Sequence, residues 1–332
     1  MKKSILLKLT VLAAASVLMF TACTTPGGET ASTPVTNQTV EITDIHGTVT
    51  VPVNPQVVVA LDNRTFETLA DWDIELAAVP KAVMPSDSPY VADESVLDIG
   101  SHNDPNLELI ASVNPDLVII GQRFAQYEDE IRALVPNAVV INLNFNVSAE
   151  AATPGANLVD GFTNSTLALG QIFDKNEEAA QLVADFEASI ARLNAAYDEN
   201  ETVMTVIVSG GEVRFAAPGS GRVWGPLYEI FGWTSSLEIE DGSSDHQGDD
   251  ISIEAIAQSN PDWIFVLDRD AATSSADGGV PAIDVIANSP ALQNITAVTT
   301  GQMVFAPNNT YTNESIQTFT RLFEDIAGAM EE

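Results

Sequence analysis

A chain of 332 residues with 47 acidic against 13 basic side chains carries a net charge of −34, and 45% of it is hydrophobic. Nucleic acid and anionic membrane surfaces are poor partners for so acidic a surface. The length exceeds what one core ordinarily serves and suits two lobes.

Residues 1–22 read as a secretion signal: Lys2, Lys3 and Lys8 precede an apolar run from Val11 to Phe20 that only Ser16 interrupts. The run is too short to span a bilayer as a helix. Phe20-Thr21-Ala22-Cys23 resembles a bacterial lipobox, with Phe20 where Leu, Val or Ile is usual. That resemblance implies that Cys23 is lipidated and becomes the N-terminus. Cys23 is the single cysteine, so an internal disulfide is excluded. Residues 23–39 then form a lipidated tether, rich in Thr, Pro, Gly and Ser and almost without apolar content. The reading places the protein outside the cytoplasm, on the outer face of the cell membrane, touching the membrane through its anchor alone.

Beyond the tether, short β-branched runs alternate with amphipathic stretches, which predicts α/β units with parallel strands. The expected organisation is an N-terminal lobe over 40–160, a connecting helical segment over 161–200 and a C-terminal lobe over 201–332. Strands are expected at 57–61, 117–120, 139–143, 203–208, 263–267 and 303–305. From Ala156 to Tyr197 the pattern is helical, with an interruption near Asp174-Lys175-Asn176. The Gly210-Gly211 pair predicts a hairpin turn opening the second half.

An internal repeat carries the most information. The stretch from Leu107 to Ile120 matches that from Ile253 to Val266 at a constant offset, each copy holding an Asn-Pro-Asp turn between a helix and a buried strand. Proline drives the preceding residue out of the right-handed helical region, so each helix is expected to end there. Both copies then deliver an arginine at the same place, Arg123 and Arg269. Ligands of open α/β sheets bind beyond the carboxyl ends of the strands, so both arginines are placed at a cleft.

A third arginine, Arg222, lies in the loop Ala217-Pro218-Gly219-Ser220-Gly221-Arg222, ahead of a pattern that predicts a helix from Leu227. Backbone N–H groups of this loop are expected to face an anion together with Arg222. It is no nucleotide phosphate loop, since no Gly-Lys-Ser or Gly-Lys-Thr follows the glycines. Arg64, after the first predicted strand, is a further cleft candidate. His246, in an acidic polar stretch, and Tyr311, in an Asn-rich one, are candidates that the pattern alone leaves open. The three histidines, His46, His102 and His246, are scattered and form no HExxH motif, and neither a G-x-S-x-G elbow nor a P-loop is present. An enzyme is therefore not expected, nor a metal site or cofactor supplied by the protein alone.

Together the paired Asn-Pro-Asp segments, the Gly-Ser-Gly-Arg loop and the Leu267-Asp268-Arg269 strand end resemble the substrate-binding lipoproteins of iron-siderophore and vitamin B12 ABC importers. Within that family the likeness is to binders of ferric catecholates. The resemblance covers nearly all of residues 40–330. It implies a class III arrangement of two α/β lobes joined by a long helix, with a shallow cleft, little hinge closure and a monomeric state. By the same resemblance Arg123, Arg222 and Arg269 line the cleft, His246 and Tyr311 approach the ferric centre, and Glu108 and Glu254 dock onto the permease. The implied ligand is a ferric siderophore, with haem or cobalamin as the alternative.

Overall fold

The computed structural model describes residues 38–148, 150–240, 242–273 and 279–332. The signal segment, Cys23 and the tether to residue 37 lie outside the described residues. Thr39, assigned to the tether from sequence, already belongs to the first strand, Thr39–Asp44, which pairs antiparallel with Gly47–Pro52.

In the first lobe, Val58–Leu61 is the central strand of a parallel sheet. Leu117–Ile120 and Val139–Asn142 lie on one side of it, Ala78–Val79 and Leu97–Asp98 on the other. Val58–Leu61 and Leu117–Ile120 are buried at every position, which is why they are apolar without alternation: helices cover both faces. In the second lobe the order is Glu212–Phe215, Thr202–Ser209, Trp263–Asp268, Met303–Phe305, parallel except for the first pair. Gly210 and Gly211 turn the antiparallel hairpin with φ of 63° and 74°, values that favour glycine. The carboxylate of Asp270 accepts both of their N–H groups at 2.9 Å.

The repeat is a structural device in both lobes. Asn114 and Asn260 end their helices in the left-handed region, at φ 49° and 46°, where asparagine is tolerated, rather than in the extended region that a following proline usually favours. The aspartate two residues on then staples the neighbouring strand. Asp116 accepts the N–H groups of Gln56 and Val57 at 2.9 Å, and Asp262 accepts that of Thr202 at 2.8 Å. Each copy thus fixes a strand to the start of its sheet partner, and with it where the following arginine emerges.

Two consecutive helices, Pro154–Ile172 and Asn176–Ala196, make the connection, broken where the sequence pattern lapses, with Asp174 at φ 54°. The first begins ahead of residue 161, the start expected from sequence. Leu158 and Phe162 lie in the core of the second lobe, whereas Ala168, Leu169 and Ile172 of the same helix lie in that of the first. The second helix returns, from Ala179 in the first core to Phe186 and Leu193 in the second. Gly170 permits the close approach beside the break, for a Cβ there would stand 2.5 Å from that of Ala179.

A polar latch joins the lobes a second time. Glu67, in the first lobe, accepts hydrogen bonds from Asn313 (2.8 Å), from Ser315, and from both terminal nitrogens of Arg321 at 2.7 and 3.1 Å. Asn63 donates to the carbonyl of Thr312 at 2.6 Å, and Gln317 bridges Thr68 and Asp71 at 3.0 Å. Burial alone would raise the Glu67 carboxyl; the bonds from Arg321, Ser315 and Asn313 outweigh it and hold it below the usual range. A depressed carboxylate stabilises the fold above its unfolded pKa of about 4.3 and loses that contribution as pH falls through the folded value. Glu67→Gln should therefore cost about 1.5–3 kcal/mol at pH 7 in urea denaturation, a gap that closes as pH drops below about 4. A gap independent of pH would contradict the latch.

Candidate functional site

Strand ends and loops from both lobes meet at the seam. Leu61 and Ile120 are register partners at the carboxyl edge of the first sheet, and the chain beyond them supplies Arg64 and Arg123. Trp263–Asp268 ends directly in Arg269. Arg222 comes from the glycine loop. The helix expected after it is present as Gly225–Phe231. Part of the loop's backbone is bonded within the loop. The N–H groups of Gly219, Gly221, Trp224 and Gly225 donate to the carbonyls of Gly225, Ala217, Arg222 and Gly221, respectively, so these four donors are satisfied within the loop. Its contribution is to hold Arg222, next to Val223 at the unfavourable φ of 67°.

Tyr311 is the hub of the cluster. Its ring, 6% exposed, has the guanidinium carbons of Arg222, Arg269 and Arg123 at 4.9, 5.2 and 6.0 Å from its centre. These are cation–π distances, and the ring gives the three cations an electron-rich face in place of water. Arg64, 7% exposed, stacks at 3.7 Å over Phe145 and donates to Asn144 and the Phe145 carbonyl. Arg269 donates to Ser209 at 3.2 Å, and Arg222 pairs with Glu314. The Nε atoms of Arg222 and Arg269 are buried without partners among the described residues.

The electrostatics follow from crowding like charges in a dry place. Burial, and then Arg123, Arg64 and Arg269, lower the proton affinity of Arg222, with Tyr311 opposing. Burial pushes Arg64 down to about 10 and also lowers Arg123. All remain cations at neutral pH. Asp62, 3% exposed, sits beneath Arg64 and Arg123 with its Oδ2 unpartnered, and burial raises its carboxyl despite them. The cluster is thus short of negative charge. A compact anion with many oxygen acceptors would supply it.

Of the sequence candidates, Arg123, Arg222, Arg269 and Tyr311 come together, and Arg64 joins them beside a cavity of about 200 Å³ that Arg222 and Glu314 also line. His246 does not join them: it is exposed in its loop and has no hydrogen-bond partner among the described residues. Glu108 and Glu254 are exposed in the first turns of their helices, one in each lobe. Three neighbours escaped the sequence reading. Glu314 and Asp62 are ordinary carboxylates in an acid-rich chain, and His102, lowered by burial and then by Arg123 and Arg222, carries no motif. No group of three or more potential metal ligands occurs among the described residues, and no described helix is long and apolar enough to cross a membrane.

Residues 58–310 match the family described as periplasmic binding protein. The petrobactin-binding protein YclQ of Bacillus subtilis is 24% identical over 85% of this chain and 84% of its own. The ferric-anguibactin-binding protein FatB of Vibrio anguillarum is 28% identical over 82% of this chain and 81% of its own. Among solved structures, the siderophore-binding protein BauB, bound to ferric iron and two molecules of acinetobactin, superposes with a TM-score of 0.74. It is 22% identical, over 88% of this chain and 99% of that one. At that identity the superposition speaks for the fold.

Gly121 explains how Asp62 reaches its place, for a Cβ there would lie 2.1 Å from the Asp62 carboxyl carbon. Its backbone is extended, so the requirement is purely one of space. Gly121→Ala should lower stability by about 1–3 kcal/mol in urea denaturation. Unchanged stability would show that Asp62 is not held as described.

Proposed function

Since the chain belongs to the periplasmic binding protein family, we propose that it captures a ferric siderophore outside the cytoplasm and delivers it to an ABC permease, without catalysing a reaction. The siderophore is of the catecholate type. Cys23 anchors the mature chain by its lipid, Glu108 and Glu254 offer one carboxylate per lobe to the permease, and the protein works as a monomer. The relatives YclQ and FatB, named for the siderophores they bind, support the ligand class.

The observation that carries this reading is the convergence of Arg123, Arg222 and Arg269 on Tyr311 at the seam of the lobes. A ferric tris-catecholate carries a charge of about −3 spread over oxygens that accept hydrogen bonds, and guanidinium suits planar, multidentate recognition of such groups. The chain's overall negative charge is screened over about 8 Å in physiological salt, so the local arginines decide affinity. Tyr311, already among the guanidinium groups, is the side chain best placed to approach the metal. His246 could reach it only through movement of its loop.

The mature chain should show saturable quenching of its tryptophan fluorescence with a ferric catecholate, and little with a ferric hydroxamate or haem. Trp224, two residues from Arg222, is the natural reporter. Arg222→Ala should weaken the catecholate about ten- to hundredfold, the loss of one charge-assisted hydrogen bond or more. Preference for haem or hydroxamate, or indifference to Arg222→Ala, would contradict the assignment of ligand and site.

A further inference from the structure

The cavity beside the cluster shares Arg64 and Arg222 with it, but its floor differs in character. Its floor is aromatic and aliphatic: Leu158, Phe162 and Phe319, exposed by 3%, 1% and 3%, come from the first connecting helix and the C-terminal helix. Phe145 and Phe319 approach Phe162 at centroid distances of 5.2 and 5.1 Å, so the floor is part of a ladder of tilted and edge-on rings. The mouth is polar but uncharged, with Ser148 and Ser244 on it. The one carboxylate on its wall, Glu314, is paired with Arg222, and Arg64 lies over Phe145.

From this we infer that the cavity is a second subsite of the same cleft, taking one neutral aromatic arm of the ligand whose oxygens the arginines hold. The inference rests on the anion-binding reading and narrows it to ligands that carry such an arm. Continuity supports it, because Arg222 and Arg64 belong both to the cluster and to the cavity wall. Size supports it as well: about 200 Å³ is slightly more than the roughly 150 Å³ known to admit a benzene ring, and well short of a whole siderophore. A ring entering there would extend the ladder in the tilted geometry that aromatic quadrupoles favour. A cationic arm gains no free carboxylate, and an anionic arm would sit on an apolar floor, which is costly.

The test uses the mature chain and one ferric bis-catecholamide chelate made in three forms, with a methyl, a benzyl or an aminoethyl group on its backbone. The benzyl form should bind about ten- to hundredfold more tightly than the methyl form, the worth of burying one ring. Ser148→Trp, which fills the mouth from a half-buried loop position, should bring the two within about twofold and leave the methyl form unchanged. Ser244→Trp, at an exposed position that also lines the cavity, should do the same. Equal binding of methyl and benzyl forms by the wild type would overturn the subsite while leaving the anion site intact. Tightest binding of the aminoethyl form would overturn it in favour of a cation site at Glu314. Failure of all three forms to bind would overturn the underlying reading as well.

Discussion

Four guanidinium groups packed into one seam is the arrangement on which the rest of the structure depends. Burial takes these cations out of water and is the main reason that Arg64, Arg123 and Arg222 hold their protons less tightly than free arginine; neighbouring guanidinium groups add to it at Arg64 and Arg222. The chain offers only partial relief: Glu314 to Arg222, a reluctantly ionised Asp62 under Arg64 and Arg123, and the ring face of Tyr311 to three of the four. In a protein with so many acidic side chains, a deficit of negative charge at one place is not a matter of supply. The deficit is what an anionic ligand would fill.

The fold holds this arrangement by fixing strand ends within each lobe and by joining the lobes twice. Each copy of the repeat staples a strand at its start, so the strand ends, and the arginines beyond them, emerge at the cleft. The two connecting helices each contribute side chains to both cores, and the latch around Glu67 fastens the segment just after Tyr311 to the first lobe. Opening the lobes widely would expose apolar helix faces and strand the Glu67 carboxylate, so a ligand bound as proposed would meet a largely preformed seam. The small cavity flanking the cluster fits that constraint.

Much of this was legible in the sequence where the signal was local or repeated. The central strands announce themselves as buried β-branched runs, the Gly210-Gly211 hairpin by its turn residues, and Arg123 and Arg269 by their matching places in the repeat. What escaped depends on contacts between distant residues. Ala78–Val79 and Leu97–Asp98 are too short to show a period, and the pairing of Glu314 with Arg222 links residues far apart in the chain. The glycine loop is legible as the carrier of Arg222, but the hydrogen bonds within it are not, because sequence does not reveal which carbonyls its N–H groups will find. His246 shows the converse: a residue singled out by family resemblance that the fold leaves at the surface.

The most direct test of the central claim is a crystal structure of the mature chain with a ferric catecholate. The account predicts the catecholate oxygens within hydrogen-bond distance of Arg123, Arg222 and Arg269, with Tyr311 facing the metal and the lobes essentially unmoved. Density for the ligand away from these arginines, or lobes swung apart with the Glu67 latch broken, would contradict it.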